Sequence, residues 1–596
     1  MAFKSFENLK FIELSESQKL IEAPDIIKVP NLESLVLKDC INLRRIHPSI
    51  GIHKKLSIIN LEGCKKFTSL PEFGKNMKCL RSLELGGTAI TKLPTSMEHL
   101  TALVYLSLIN CKNLVRLPDS IFNLKFIKLV YLNGCSKLDR VPENLGNAES
   151  LMRLDLSETA IRKVPSSIGL LKHLYNLELN GCKGLSSNKL WYELLPFYSM
   201  PTSPHPIDLL FSSLSLSPAY SLTRLNLYGC NIKEISNDIG SLFSLEELNL
   251  GENDFVCLPE SIIQLSELKW IGLDNCKCLR SLPKLPWNIE GVEAIGCISL
   301  EMLPDPLKPS DSLEPSLSLQ NCLQLANSQS CIDWFILGIK KSLKLSPFRP
   351  LSSLEKYYIF FPGSEIPEWF SHQSMGDEVE IKQPSHLCKN VGIAICVVFC
   401  THNDVPAYTI LEYSLIANGK IIYSGVCDAF DSTDHLCLEY LTPQYLDKES
   451  NKLLWEGDVN GFSQIRIKIK TRDSDLKVKK CGCRIIYKKD IEDLDQTMVQ
   501  YSNNNITPYD GMDVVHHNFS HSSVVVECHK VKRSCDDYNG AGPGGEGSSN
   551  DIPNPKRIKR HTEAQGKSDC EESSEYKDCD EEFSDWDESN DSNPDA

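Results

Sequence analysis

The sequence predicts an α/β chain in three parts: a leucine-rich-repeat solenoid over residues 1–300, an all-β sandwich over 355–490, and a tail over 491–596. Three observations carry this. A motif L-x-x-L-x-L-x-x-C/T/N returns about every 23 or 24 residues in the first half. From Tyr357 the text changes to short strand-like runs. From about residue 491 apolar density falls, and Asp and Glu crowd the end.

The motif stands as Leu32, Leu35, Leu37 and Cys40, then as Leu56, Ile59, Leu61 and Cys64. It continues through Leu103, Leu106, Leu108 and Cys111 to Leu268, Ile271, Leu273 and Cys276. A partial copy, Leu9, Ile12 and Leu14, precedes it, and a degenerate one, Ile289, Val292, Ala294 and Cys297, closes it. Side chains alternate along a strand, so the two leucines of L-x-L face one core and the residue between them faces out. A Cys at the end of the motif fills a buried slot as a small hydrophobe, which accounts for many of the 24 cysteines without redox chemistry. The second half of a repeat reads like Leu117-Pro118-Asp119-Ser120-Ile121 or Leu258-Pro259-Glu260-Ser261-Ile262. Proline ends the preceding segment, and Ser or Asp is expected to cap a short helix or 3₁₀ turn. One repeat cannot bury its apolar face alone, so about twelve stack into a curved solenoid with a strand-lined concave face. The first repeat has no evident polar cap, which leaves apolar surface at that end.

The outward positions of the strands give the candidate binding residues. Tyr105, Tyr131, Arg153, Arg224, Tyr228 and Trp270 fall there. Aromatics and Arg dominate interface energetics, one buried anchor being worth about 2 kcal/mol or more; the alternative is that some are merely exposed amphipathic side chains. Gly272, between Trp270 and Asp274, is expected to leave room for a partner side chain. Residues 186–218 interrupt the period with Ser- and Pro-rich text that includes Trp191, Tyr192 and Phe211, and read as a loop insertion, either tolerated or contributing to binding.

Residues 301–354 lose the period. Leu319 to Cys322 followed by Ile332 to Leu345 reads as a helical cap on the last repeat. Beyond it, Tyr357–Phe361, Val391–Cys400, Leu411–Ala417, Ile421–Tyr423, His435–Tyr440, Ile465–Ile469 and Cys483–Tyr487 read as strands, with Asn418-Gly419 a hairpin turn. Many short strands with turns between them predict a β-sandwich. The tail cannot bury enough surface to order itself. Within it, Lys556, Arg557, Lys559 and Arg560 form a compact basic cluster that fits a nuclear-localisation segment; the alternative is a patch that offsets acidic neighbours.

Composition limits the chemistry. The net charge of −16 disfavours a nucleic-acid partner. The opening residues are not a signal peptide and no apolar run approaches membrane-span length, so the expectation is a soluble intracellular chain with reduced thiols and no membrane partner. Gly540 to Gly545 fits G-x-G-x-x-G but follows no strand. Cys481/Cys483 and Cys276/Cys278 lack a matched second pair at zinc-site distance. His516, His517 and His521 lie in polar text, and neither G-x-x-x-x-G-K-[ST] nor G-x-S-x-G occurs. No cofactor, metal or catalytic residue is therefore expected.

Two features carry a family resemblance. The repeats alternate Cys with Thr-Ala-Ile variants, Gly87-Thr88-Ala89-Ile90 and Glu158-Thr159-Ala160-Ile161, and resemble those of plant intracellular immune receptors of the TIR–nucleotide-binding–LRR class. The block Phe361-Pro362-Gly363-Ser364-Glu365-Ile366-Pro367-Glu368-Trp369-Phe370, with Asp434-His435-Leu436 and Val478-Lys479-Lys480-Cys481-Gly482, is similar to the C-terminal jelly-roll/Ig-like (C-JID) domain of that class. The resemblance covers residues 1–490. It implies recognition of a pathogen effector protein and restraint of a receptor switch domain, its own or a related receptor's. The chain starts inside the repeats, so the family's nucleotide switch and NAD-cleaving activity are not carried over. A stand-alone adaptor or decoy regulating full-length receptors is the second expectation, and an NAD hydrolase the third. The cytoplasm is the expected compartment, with the basic cluster offering entry to the nucleus.

Overall fold

The computed structural model describes residues 6–186, 206–215, 221–286, 288–304, 316–326, 328–344, 357–384, 390–401, 409–429, 434–441, 449, 452–453, 462–471 and 476–487. All lie in one compact unit, Met1–Pro508. The tail, its basic cluster, and Trp191 and Tyr192 of the insertion lie outside the described residues.

Each repeat contributes a three-residue strand. The series runs from β1 (Phe11–Glu13) and β2 (Ser34–Val36) through β3 (Ile58–Asn60), β4 (Ser82–Glu84), β5 (Tyr105–Ser107), β6 (Leu129–Tyr131), β7 (Arg153–Asp155) and β8 (Asn176–Glu178). It continues with β9 (Arg224–Asn226), β10 (Glu247–Asn249), β11 (Trp270–Gly272) and β12 (Gly291–Glu293). Each pairs in parallel with the next, and the central apolar residues align: Leu106 with Val130, Val130 with Leu154, Leu154 with Leu177. These residues are fully or almost fully buried, as the alternation requires.

The turn out of each strand was only half legible. The residue just before the terminal Cys, Thr or Asn (Ser17 in the first repeat) takes a positive φ in every repeat: Glu16, Asp39, Gly63, Gly87, Asn110, Gly134, Glu158, Gly181, Gly229, Glu252, Asn275, Gly296 and Asn321. Gly, Asn and Asp reach this left-handed region most readily. At Gly63 a second reason applies, because a Cβ there would stand 2.0 Å from the carboxylate oxygen of Asp39.

The cysteines do more than fill space. Each thiol donates to a carbonyl of the preceding repeat: Cys64 to Leu37 O at 3.1 Å, Cys135 to Leu108 O at 3.2 Å, Cys182 to Leu156 O at 3.0 Å. Asn253 makes the same bond through Nδ2 to Leu227 O at 3.0 Å. Burial is the largest influence on the thiols of Cys64, Cys135, Cys230 and Cys276, and pushes them up to about 12. Thiol reagents attack the thiolate, so with native protein and peptide mapping, labelling among the described cysteines is expected at the exposed Cys79, Cys257 and Cys278. The ladder cysteines should label only after denaturation. Rapid native labelling of Cys135 or Cys182 would contradict the buried ladder.

The side opposite the strands carries 3₁₀ turns such as Thr95–His99, Asp119–Asn123, Ser166–Leu170 and Glu260–Gln264. The expected Ser or Asp caps are not what holds them. Pro94, Pro118, Pro165 and Pro259 occupy the cap position, with no side-chain cap bond. The serines instead tie neighbouring repeats together: Ser96 Oγ accepts from Phe73 N at 2.7 Å, and Ser167 Oγ accepts from Gly146 N at 3.2 Å.

Two segments differ from their expected form. Part of the insertion is a helix, α1 (Pro206–Ser215), which packs on the flanking 3₁₀ turns. Its Ile207, Leu210, Phe211 and Leu214 are buried at helical spacing. The 301–354 segment holds a thirteenth repeat strand, β13 (Ser316–Ser318), with Leu317, Leu319 and Cys322 in the repeat positions. Helix α2 (Gln329–Lys344) follows. It does not close a bare end, because β13 pairs in parallel with β14 (Tyr357–Pro362), and the ladder runs on into the sandwich.

The sandwich has two sheets. The first adds β20 (His435–Leu441), β17 (Asn390–Thr401), β22 (Leu476–Tyr487) and β15 (His372–Met375) beyond β14, completing an 18-stranded sheet among the described residues. The second orders β16 (Glu378–Pro384), β21 (Phe462–Thr471), β18 (Thr409–Ala417) and β19 (Lys420–Ala429). The β18–β19 hairpin turns through Asn418 and Gly419, both at positive φ. Ile393, Ile395, Val397 and Phe399 face the second sheet, while Ala394, Cys396 and Val398 belong to the core that continues through the repeats. A strand buried on both faces reads as a continuous apolar run, which explains the dense text of β17.

The three sequence blocks that carry the resemblance meet at this junction. Phe370 and Trp369 lie against Phe335 of α2, with ring centroids 6.4 and 6.2 Å away. His435 accepts a hydrogen bond at Nε2 from Asn321 N, 3.1 Å away, across the joint between repeats and sandwich. Asp434 pairs with Lys479, and Glu365 with Lys480.

Candidate protein-recognition face

The register brings some of the six expected contact residues together and separates others. Tyr105 and Tyr131 stand on adjacent strands with ring centroids 5.6 Å apart and planes tilted by 46°. Arg153, on the next strand, lies over the Tyr131 ring at 5.2 Å, a cation–π contact. These three form one half-buried cluster. Burial first, then the Glu84 carboxylate, raises the Tyr105 hydroxyl above its ordinary value. Arg224 is exposed two strands further on and pairs with Glu247 at 3.0 Å.

Tyr228 follows β9 in the same repeat as Arg224, and Trp270 opens β11 two repeats further on. Each ring lies against a glycine: a Cβ on Gly251 would meet Tyr228 Cδ2 at 2.7 Å, and one on Gly272 would meet Trp270 Cη2 at 2.5 Å. The expected opening beside Gly272 is therefore occupied by the indole of Trp270 itself. The glycine serves the indole, not a partner side chain.

Sequence reading missed the half-buried carboxylates beside this indole. Asp274 accepts from Ile295 N at 2.8 Å. Desolvation raises its carboxyl above the usual range, and Glu293 is raised by desolvation first and then by the Asp274 charge. For a carboxyl raised in the folded state, the charged form costs stability above the folded value, and the cost disappears below the unfolded one. Asp274→Asn is therefore expected to raise the thermal midpoint at pH 7, with the advantage over wild type fading as pH falls through the acid range. An equal or lower midpoint at pH 7 would contradict this electrostatic account.

Other outward residues serve their own turns. Asp155 accepts from Ser157 N at 2.9 Å, Asn226 from Tyr228 N at 3.0 Å, and Asn249 from Gly251 N at 3.1 Å. On this face Arg224 pairs with a carboxylate, Arg153 lies over a ring, and Asp155 and Asp274 accept from backbone N–H groups. Among the described residues no group of three or more His, Cys, Asp or Glu is arranged to hold a metal ion. No helix among them is long and apolar enough to cross a membrane.

A parallel strand ladder with one left-handed turn per repeat, continued into an antiparallel sandwich, defines a leucine-rich-repeat protein with a C-terminal β domain. Residues 361–492 match the C-JID domain family. The chain is 32% identical over 425 residues to disease resistance-like protein DSC1 of Arabidopsis thaliana, covering 65% of this chain and 33% of that protein. It is 29% identical over 425 residues to TMV resistance protein N of Nicotiana glutinosa, covering 66% and 35%. Against disease resistance protein RPS4 of Arabidopsis thaliana the identity is 28% over 422 residues, covering 65% and 28%. Among solved structures, a leucine-rich-repeat protein of Leptospira interrogans aligns at 24% identity over 49% of this chain and 86% of that one, with a TM-score of 0.29. Residues 361–492 thus carry the C-JID domain, and the matches support a likeness to the C-terminal part of plant disease resistance proteins of the TIR–nucleotide-binding–LRR class. The chain spans about a third of the length of the curated relatives it matches.

Proposed function

We propose that this chain is the protein-recognition part of a plant intracellular immune receptor, binding a pathogen effector protein through the strand-lined face of its repeats. In the absence of the effector, the same region restrains a receptor switch domain. It acts by recognition, not catalysis. The observation that carries the reading is the Tyr105–Tyr131–Arg153 cluster, followed along the ladder by Arg224, Tyr228 and Trp270. Half-buried aromatics and arginines are the residue types that anchor protein interfaces. The kinship with disease resistance proteins supports the effector as partner, and the cytoplasm, with nuclear entry through Lys556, Arg557, Lys559 and Arg560, as the place of action.

The test is a binding screen of the full chain against candidate effector proteins, repeated with Trp270→Ala and Arg224→Ala. Each substitution is expected to weaken a bound effector by about tenfold or more, a change of about 1.4 kcal/mol. Binding that neither change weakens would overturn the assignment of this face.

A further inference from the structure

A glycine at an outward position of a repeat strand packs nothing and weakens the strand, so three in a row need a reason. Gly251, Gly272 and Gly291 hold such positions on consecutive repeats, just past β10, at the end of β11 and at the start of β12. Aromatic rings use the space they leave. Gly291 stands level with Trp270 on the next strand, and Gly272 follows Trp270 on its own. A Cβ on Gly272 would meet Trp270 Cη2 at 2.5 Å, and one on Gly291 would meet its Cδ1 at 3.2 Å. With both ends held that close to backbone, the indole lies along the sheet, and the outer face of this half-buried side chain is left to solvent. Tyr228 rests one edge of its ring over Gly251. Asp274 and Glu293, both half-buried, border the indole, and neither makes an ion pair among the described residues. Arg224 and Lys269 do not answer them, being paired with Glu247 and Glu246 at 3.0 and 2.7 Å.

We infer that this site takes an arginine side chain of the partner protein, stacked on the exposed face of Trp270 and hydrogen-bonded to the carboxylates of Asp274 and Glu293. The inference rests on the strand-lined face being the recognition surface and names the partner group taken beside Trp270. The face of an aromatic ring attracts a cation through its quadrupole, and indole does so most strongly. A guanidinium is flat, so it stacks on the ring while its fork of N–H groups reaches the carboxylates at the margin. An ammonium is a compact point charge with no plane to stack. The two carboxyls are already disfavoured as charged groups, Asp274 by desolvation and Glu293 by desolvation and then by Asp274. A bound cation relieves both effects, whereas an acidic side chain would add to the repulsion. A constellation that costs stability when empty and regains it on binding fits a recognition surface better than a structural one.

The probe is a displayed library of random peptides roughly twelve residues long, selected on the full chain. Recovered peptides are expected to share an arginine. One of them is measured on wild type, Trp270→Leu, Asp274→Asn, Glu293→Gln, Tyr131→Ala and Arg224→Ala. It is measured again with its arginine replaced by lysine, or by citrulline, which keeps the shape and loses the charge. Trp270→Leu, Asp274→Asn and Glu293→Gln are each expected to weaken it by about tenfold or more, as is citrulline on wild type. Lysine should bind less well than arginine. On the Asp274→Asn, Glu293→Gln double variant citrulline should cause little further loss, because the charge it removes has no partner there. Asp274→Asn should unfold above the wild-type temperature, so lost binding is not lost folding. Equal binding of the lysine and arginine peptides would overturn the stacked guanidinium. Loss on citrulline without loss on Trp270→Leu or Asp274→Asn would mean only general attraction to a chain of net charge −16, and would overturn the site. Peptides weakened only by Tyr131→Ala or Arg224→Ala would overturn the site and leave the recognition face standing. Peptides indifferent to all five single substitutions would count against both. Recovery of no peptide, or of peptides with no essential arginine, would overturn the inference.

Discussion

Phe335→Ala is expected to destabilise the protein by about 3–5 kcal/mol and to loosen the end of the repeats and the sandwich together. Phe335 is fully buried in α2 and stacks on Tyr357 of β14 at 5.7 Å, with Trp369 and Phe370 on its other sides. Tyr357 in turn donates its hydroxyl to Trp334 O at 2.7 Å. The ring therefore sits where the core of the repeats becomes the outer core of the first sandwich sheet. Amide hydrogen exchange should show lost protection in β12 and β13 as well as in β17 and β20. A loss confined to one side would mean that the two modules merely touch.

The second large effect is expected at Leu154→Asp. Leu154 is fully buried between Val130 and Leu177 of the neighbouring strands. An isolated carboxylate there finds no cation and costs at least about 4 kcal/mol. Its neighbour Arg153 points to the other face, so Arg153→Ala should cost less than about 1 kcal/mol, chiefly the contact with Tyr131. Repeats touch only their neighbours, so damage decays along the stack. Exchange protection should fall in β6 to β8 of Leu154→Asp and persist in β11 to β13. Equal effects of the two substitutions would contradict the alternation on which the recognition face depends.

The repeats were legible because their period is longer than chance produces and their leucines alternate. The left-handed turn was equally visible in the text, since the residue before each terminal Cys, Thr or Asn is Gly, Asn, Asp or Glu, but the motif as read left that position open. β13 was hidden because residues 298–315 stretch the last interval, and without its period Leu317 reads as part of a cap. α1 was hidden by its serines, although Ile207, Leu210, Phe211 and Leu214 keep helical spacing behind Pro206. At the face, Tyr105, Tyr131 and Arg153 stood out by residue type. Asn176 did not, because nothing in the text shows that a small amide between two arginine positions is almost fully buried. Nor does sequence say that Trp270 lies over Gly272, since that depends on the rotamer of the indole.

The most direct measurement is hydrogen exchange on the full chain with and without an effector protein recovered by the binding screen. Recognition through the strand-lined face predicts slowed exchange on the peptides that carry Tyr105, Tyr131, Arg153, Asn176 and Arg224, with the 3₁₀ turns opposite unchanged. Slowing confined to those turns or to the second sandwich sheet, with the five strands unaffected, would contradict it.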